Sequence, residues 1–194
     1  MADLGEAELA LLRSRNPDAL RSIANAHGRR LYRAARGMGH AQADAEDLVQ
    51  EVFVAFLESL DRFEGRAQVG TWLYGILYRK SLERRRAVVR EELGDPIELT
   101  FEAQFDSRGQ WLSPPAQPDA QVHAEQAGTA IASCLEALPD GQREVFQLRQ
   151  VEELSAAEVS KITGQTITHI GVLLHRARLR LRVCLEGKGW GRGE

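Results

Sequence analysis

The 194-residue chain is 43% hydrophobic and 27% charged, proportions of an ordinary globular protein, with a formal net charge of -3. No apolar run approaches the ~20 residues needed to cross a bilayer. The N-terminal MADLGEAELALL also lacks the basic start and long apolar core of a signal peptide, so a cytoplasmic protein is expected.

Glu6 to Arg13 reads as a short helix with Leu9 and Leu12 inward. Asn16-Pro17-Asp18 restarts the chain, with Asn16 as N-cap and Pro17 at the first helical position. The helix that follows carries Leu20, Ile23, His27, Leu31 and Ala35 on one side, ends at Gly37 and Gly39, and makes His27 a packed core-edge residue.

From Asp44 the stretch DAEDLVQEVFVAFLESLDRF is strongly amphipathic. Leu48, Val52, Phe56 and Leu60 recur every four residues, while Asp47, Gln50, Glu51 and Glu58 project from the opposite face. Gly65 and Gly70 bracket a polar break. A further helix opens near Thr71 as N-cap, buries Leu73, Ile76 and Leu77, and runs into the basic series Arg79, Lys80, Arg84, Arg85, Arg86 and Arg90. These four helices predict one bundle. Trp72 has two readings, a core residue or a stacking platform, and the arginines can equally be a solvated helix end favoured by the helix dipole.

Residues 91–121 hold four of the six prolines without a sustained period, and read as a linker. Its aromatics Phe101, Phe105 and Trp111 either pack back on a domain or bind a partner. Helical periodicity returns at Val122 and breaks at Leu138-Pro139-Asp140, and a helix over Gln142–Gln150 buries Val145, Phe146 and Leu148. Ser155 to Glu158 is a capping-box signature for the next helix, which stops at Gly164. Thr166 then caps a long last helix through Ile170, Leu174, Ala177 and Leu181. A short helix, a turn with glycine and a second helix form the helix-turn-helix pattern, whose second helix reads the major groove.

The predicted class is therefore all-α: two small helical domains, residues 1–90 and 122–194, joined by the 91–121 linker. No nucleophile–base pair, phosphate-cradling loop or metal-ligand spacing is present, so no catalytic residue, metal or cofactor is expected. Cys134 and Cys184 lack CxxC spacing and lie among apolar helical positions, which favours buried thiols over a thiol or metal sensor.

DAEDLVQEVF followed by TWLYGILYRKSLERRR resembles region two of the bacterial sigma-70 superfamily, in its extracytoplasmic-function group. LPDGQREVFQLRQVEELSAAEVSKITG with LLHRARLRLR resembles region four of the same group. The resemblance implies a dissociable specificity subunit of core RNA polymerase that directs promoter recognition, melting and initiation. It implies polymerase docking through Asp44, Asp47, Gln50, Glu51 and Glu58. Capture of the opened minus-ten strand falls to Arg66, Gln68, Thr71, Trp72, Tyr78, Arg79, Lys80 and Arg84. Reading of duplex minus-thirty-five DNA falls to Thr166, Thr168, His169, His175, Arg176 and Arg178. An anti-sigma factor is the further partner implied.

The chain departs from the commoner pattern at Gly171-Val172-Leu173, where basic residues are usual; either readout of the upstream element differs, or Val172 and Leu173 bury with Gly171 permitting close approach. The rival reading is a stand-alone helix-turn-helix regulator, which has no use for the acidic face after Asp44.

Overall fold

The computed structural model describes residues 6–63, 65, 67–89 and 124–190. The expected Arg66 contact and the linker aromatics Phe101, Phe105 and Trp111 lie outside the described residues. Eight α-helices are present among those described: α1 Glu6–Arg13, α2 Pro17–Gly37, α3 Gln42–Ser59, α4 Val69–Val89, α5 Ala124–Glu136, α6 Asp140–Phe146, α7 Ala156–Thr163 and α8 Ile167–Gly187.

Local chemistry sets most of these boundaries. The Asn16 side chain accepts from the Asp18 and Ala19 amides, and Pro17 occupies the position whose amide has no helical partner. Ser155 and Glu158 exchange side-chain and backbone bonds in a complete capping box at α7, which Gly164 ends at a φ of 73°. Thr166 accepts from the His169 amide at the start of α8. The start of α4 differs from expectation. It begins at Val69, so Thr71 lies inside the first turn and its hydroxyl is directed elsewhere. The helix expected over Gln142–Gln150 is also divided: α6 gives way to a π-helical segment, Gln147–Val151, closed by a bond from the Glu152 amide to the Gln147 carbonyl of 3.0 Å.

Helices α1 to α4 bury Leu12, Leu31, Leu48, Val52, Phe56, Leu73 and Leu77 in the core expected of the first bundle. That core does not stop at the domain boundary. Val145, Leu148, Leu154, Val159, Ile170 and Leu174 belong to the same cluster, so the second domain packs directly on the first. A smaller cluster of Cys134, Leu138, Ala177 and Leu181 joins α5 to α8.

The buried-thiol reading is overturned. Cys134 and Cys184 are bonded as a disulfide, and no described cysteine is free. Packing of α5 on α8 brings their Cα atoms to 5.8 Å, within the reach of a disulfide. A bridge across 50 residues removes unfolded-chain entropy worth about 4 kcal/mol in the loop-closure account.

Two histidines make stability depend on pH. His40, whose Nε2 lies 2.6 Å from Ser81 Oγ, has its pKa lowered by burial first and then by Arg85, with Arg84 and Arg143 adding and Asp44 opposing. His27 is lowered by burial and by Arg30. The unfolded imidazoles take up protons near the ordinary value of about 6.5, while the folded ones resist. The unfolded state therefore binds more protons, and stability falls as pH drops below that value. Urea denaturation midpoints should be lower at about pH 5.5 than at about 7.5, and His40→Gln should shrink the difference.

Candidate functional site

Two solvent-facing surfaces and one covered surface hold the residues singled out by the sequence. On α3, Asp44, Asp47, Gln50 and Glu58 are exposed and Glu51 is half-buried, all bordering an open groove against α4, except that Asp44 lies just beyond it. Arg84 reaches across from α4 to this acidic row. Its guanidinium donates to Asp44 Oδ1 at 2.9 Å and Glu51 Oε1 at 2.6 Å, and lies 3.8 Å from Asp47. The Glu51 bond is the first cause of a pKa raised further above the ordinary arginine value. Lys80 adds a pair to Glu51 at 3.8 Å and one to Glu83 at 3.5 Å. Arg84 and Lys80 thus face the acidic helix.

Val54 stands in the middle of this groove with 55% of its surface exposed. The expected docking row of charged and amide residues did not include it. Its spacing of four from Gln50 and from Glu58 placed it on the polar face all along.

The covered surface is the side of α4 that meets the second domain. Thr71 is buried and donates to Glu158 Oε1 at 2.8 Å. Burial pushes the Glu158 pKa up, but bonds from Ser155 and Thr71 outweigh it and hold the carboxyl below its usual value. Tyr74 donates to Glu152 Oε2, and Arg30 and Gln147 donate to the same carboxylate at 3.3 and 3.2 Å. Burial and that bond raise the tyrosine pKa, which keeps the hydroxyl a donor. Arg85 pairs with Glu144 and with Asp140. Glu144 and Glu152 are 3% and 7% exposed, so each carboxylate depends on these partners.

The remaining α4 residues are placed as follows. Tyr78 is buried, and burial raises its pKa. Trp72 is half-buried, edge-on to Phe63 at 5.4 Å, and donates from Nε1 to Ser59 at 3.3 Å, which is a core-edge packing. Arg79 is exposed and bonds the Gly75 carbonyl at 3.2 Å, and Gln68 is half-buried.

On α8, Thr168, His169, His175 and Arg176 are exposed and recur at helical spacing on one face, with Thr166 at the cap. Arg178 flanks them and donates to Gln150 at 2.7 Å. Val172 lies at the centre of this face and is 40% exposed, while Leu173 packs against the core. A Cβ at Gly171 would meet nothing within 4 Å, so that glycine serves no close approach. The burial reading therefore fails for Val172 and Gly171 and holds for Leu173.

An acidic groove with an apolar centre, a basic-aromatic helix and an exposed helix-turn-helix face suit docking on protein and nucleic acid. Comparison with known proteins identifies the arrangement. Residues 23–91 match Sigma-70 region 2, and residues 129–181 match Sigma-70, region 4. An RNA polymerase sigma factor of Haemophilus influenzae is 34% identical over 158 residues, covering 76% of this chain and 80% of its own. The sigma factor CnrH of Cupriavidus metallidurans is 31% identical, covering 89% of this chain and 90% of its own. Among solved structures, CnrH in complex with the cytosolic domain of CnrY is similar at a TM-score of 0.64 and 25% identity, covering 93% of this chain and 96% of that one. The sigma factor RpoE with the anti-sigma factor NepR from Bartonella quintana gives a TM-score of 0.64 at 25% identity, covering 86% and 96%. The chain belongs to the sigma-70 family of RNA polymerase sigma factors, in its extracytoplasmic-function group.

Proposed function

We propose that this sigma factor docks on core RNA polymerase through the α3 groove, and that the structure described above is its closed, promoter-incompetent form. The observation that carries this reading is the burial of Thr71 and Tyr74 beneath α7 and the π-helical segment, on the helix expected to hold opened DNA. Reach supports it independently. Elements near minus ten and minus thirty-five lie ~25 base pairs apart, or ~85 Å along the duplex. A compact chain of this length is only about 40 Å across. Both elements are engaged only after the second domain leaves α4.

In the open form the Arg79 end of α4 and the freed Thr71 and Tyr74 face capture the unpaired strand by charge and stacking. Region four reads the duplex with Thr168, His169, Val172, His175 and Arg176. An exposed valine at the centre suits a thymine methyl, and the Arg176 guanidinium suits a phosphate. The protein works in the cytoplasm as a non-catalytic specificity subunit. Its further partner is an anti-sigma protein, as NepR is for RpoE of Bartonella quintana, and that protein stabilises the closed form.

Run-off transcription with purified core polymerase and a library of genomic promoter fragments tests the reading. Transcripts that depend on the protein and share two spaced upstream elements are expected. A folded protein that neither binds core nor yields transcripts returns the stand-alone regulator.

A further inference from the structure

The disulfide between α5 and α8 lies outside both docking surfaces and has no part in the promoter reading. Helix α5 packs chiefly on α8, around a small buried cluster of Cys134, Leu138, Ala177 and Leu181, with Leu135, Phe146, Cys184 and Leu185 partly buried against it. A small apolar cluster and the bridge therefore hold the helix that leads from the linker into the reading domain. The helix-turn-helix itself is anchored elsewhere, through Val159, Ile170 and Leu174 in the main core. The bridge is thus separable from the reading head. Its two sulfurs differ: Cys134 is 1% exposed, whereas Cys184 is only half-buried on the outer end of α8.

We propose that Cys134 and Cys184 form a reversible two-electron redox site, acted on by dithiol reductants, whose oxidised form clamps α5 to α8. The biological argument rests on the sigma-factor reading: a protein working beside RNA polymerase sits in a reducing compartment, where a disulfide is normally transient or sensory. A dithiol thiolate attacks Sγ of Cys184, the reachable sulfur, and displaces the Cys134 thiolate, giving a mixed disulfide. The second thiol of the reagent then displaces Sγ of Cys184. The reagent departs as a cyclic disulfide, having given up two electrons, and both cysteines end as thiols with the two protons it released. Oxidised dithiol runs the same exchange backwards.

The test uses the full chain, equilibrated in reduced or in oxidised dithiothreitol without denaturant. Alkylation and intact mass count free thiols, and amide hydrogen exchange follows each helix. Two alkylated thiols are expected in the reduced sample and none in the oxidised one. Exchange in α5 should be roughly tenfold faster on reduction, with α3 and α7 unchanged. The C134S/C184S double variant should show the fast α5 pattern under both conditions. Should it fail to fold, the wild-type pair alone decides. A bridge that resists reduced dithiothreitol without denaturant is a purely structural crosslink, and a reduced protein whose α5 exchanges as before has no clamp; either result overturns the proposal. These readouts need neither polymerase nor promoter, so they stand or fall apart from the transcription assay.

Discussion

Replacing Glu152 with lysine separates the two domains. The carboxylate is buried and takes bonds from Tyr74 and Arg30 of the first domain and Gln147 of the second. Removing one member of a buried, paired constellation costs about 3–5 kcal/mol, and an ammonium placed against Arg30 adds repulsion. Each domain keeps its own helices, so the loss falls on the contact between them. Small-angle scattering should show the radius of gyration rising by several ångströms from the ~16 Å of a compact chain this long. Circular dichroism should be nearly unchanged. Glu153→Lys, one residue on and exposed, is the control and should leave the radius as it was. A Glu152→Lys protein that stays compact while folded would show that the apolar contact alone holds the domains, and the closed-form reading would lose its latch.

Val54→Asp should weaken core polymerase binding about thirtyfold. An apolar side chain in the middle of a polar docking face is where binding energy concentrates, and losses of about 2 kcal/mol mark such positions. Aspartate removes the apolar contact and places a carboxylate at its centre, while the sign of the surface is kept. The fold should be indifferent because Val54 already faces water. By contrast, Asp47→Lys acts at the rim and should chiefly slow association and change its salt dependence. Surface plasmon resonance separates the two rates. A Val54→Asp affinity within twofold of wild type would move the docking site off this groove.

Much of this was legible in the sequence, for definite physical reasons. Asn16-Pro17, Ser155 with Glu158, Gly164 and Thr166 act within one turn of themselves, so their caps follow from local chemistry alone. The heptad-like recurrence on α3 and α8 gave both exposed faces. What escaped depends on residues distant in the chain. Glu144 and Glu152 look like solvated helix positions until Arg85 and Arg30 arrive, the latter from 122 residues away. The disulfide escaped because each cysteine sits on an apolar face that suits a thiol equally well. Only the pairing of α5 with α8 distinguishes the two. The pairing of Arg84 with the acidic row escaped for the same reason, since that row lies 33 to 40 residues earlier.

The core shared by the two domains has a consequence for the nascent chain. The ribosome delivers the α3 groove and α4 well before α7 exists, and domains fold as units as they emerge. At 5–20 residues per second, roughly 5–15 s separate the appearance of Leu77 from that of Val159. During that interval the α3 groove forms while the lid over Thr71 and Tyr74 has not been made. Each newly made molecule thus passes through an uncovered state once, on the ribosome, before closure becomes available to it.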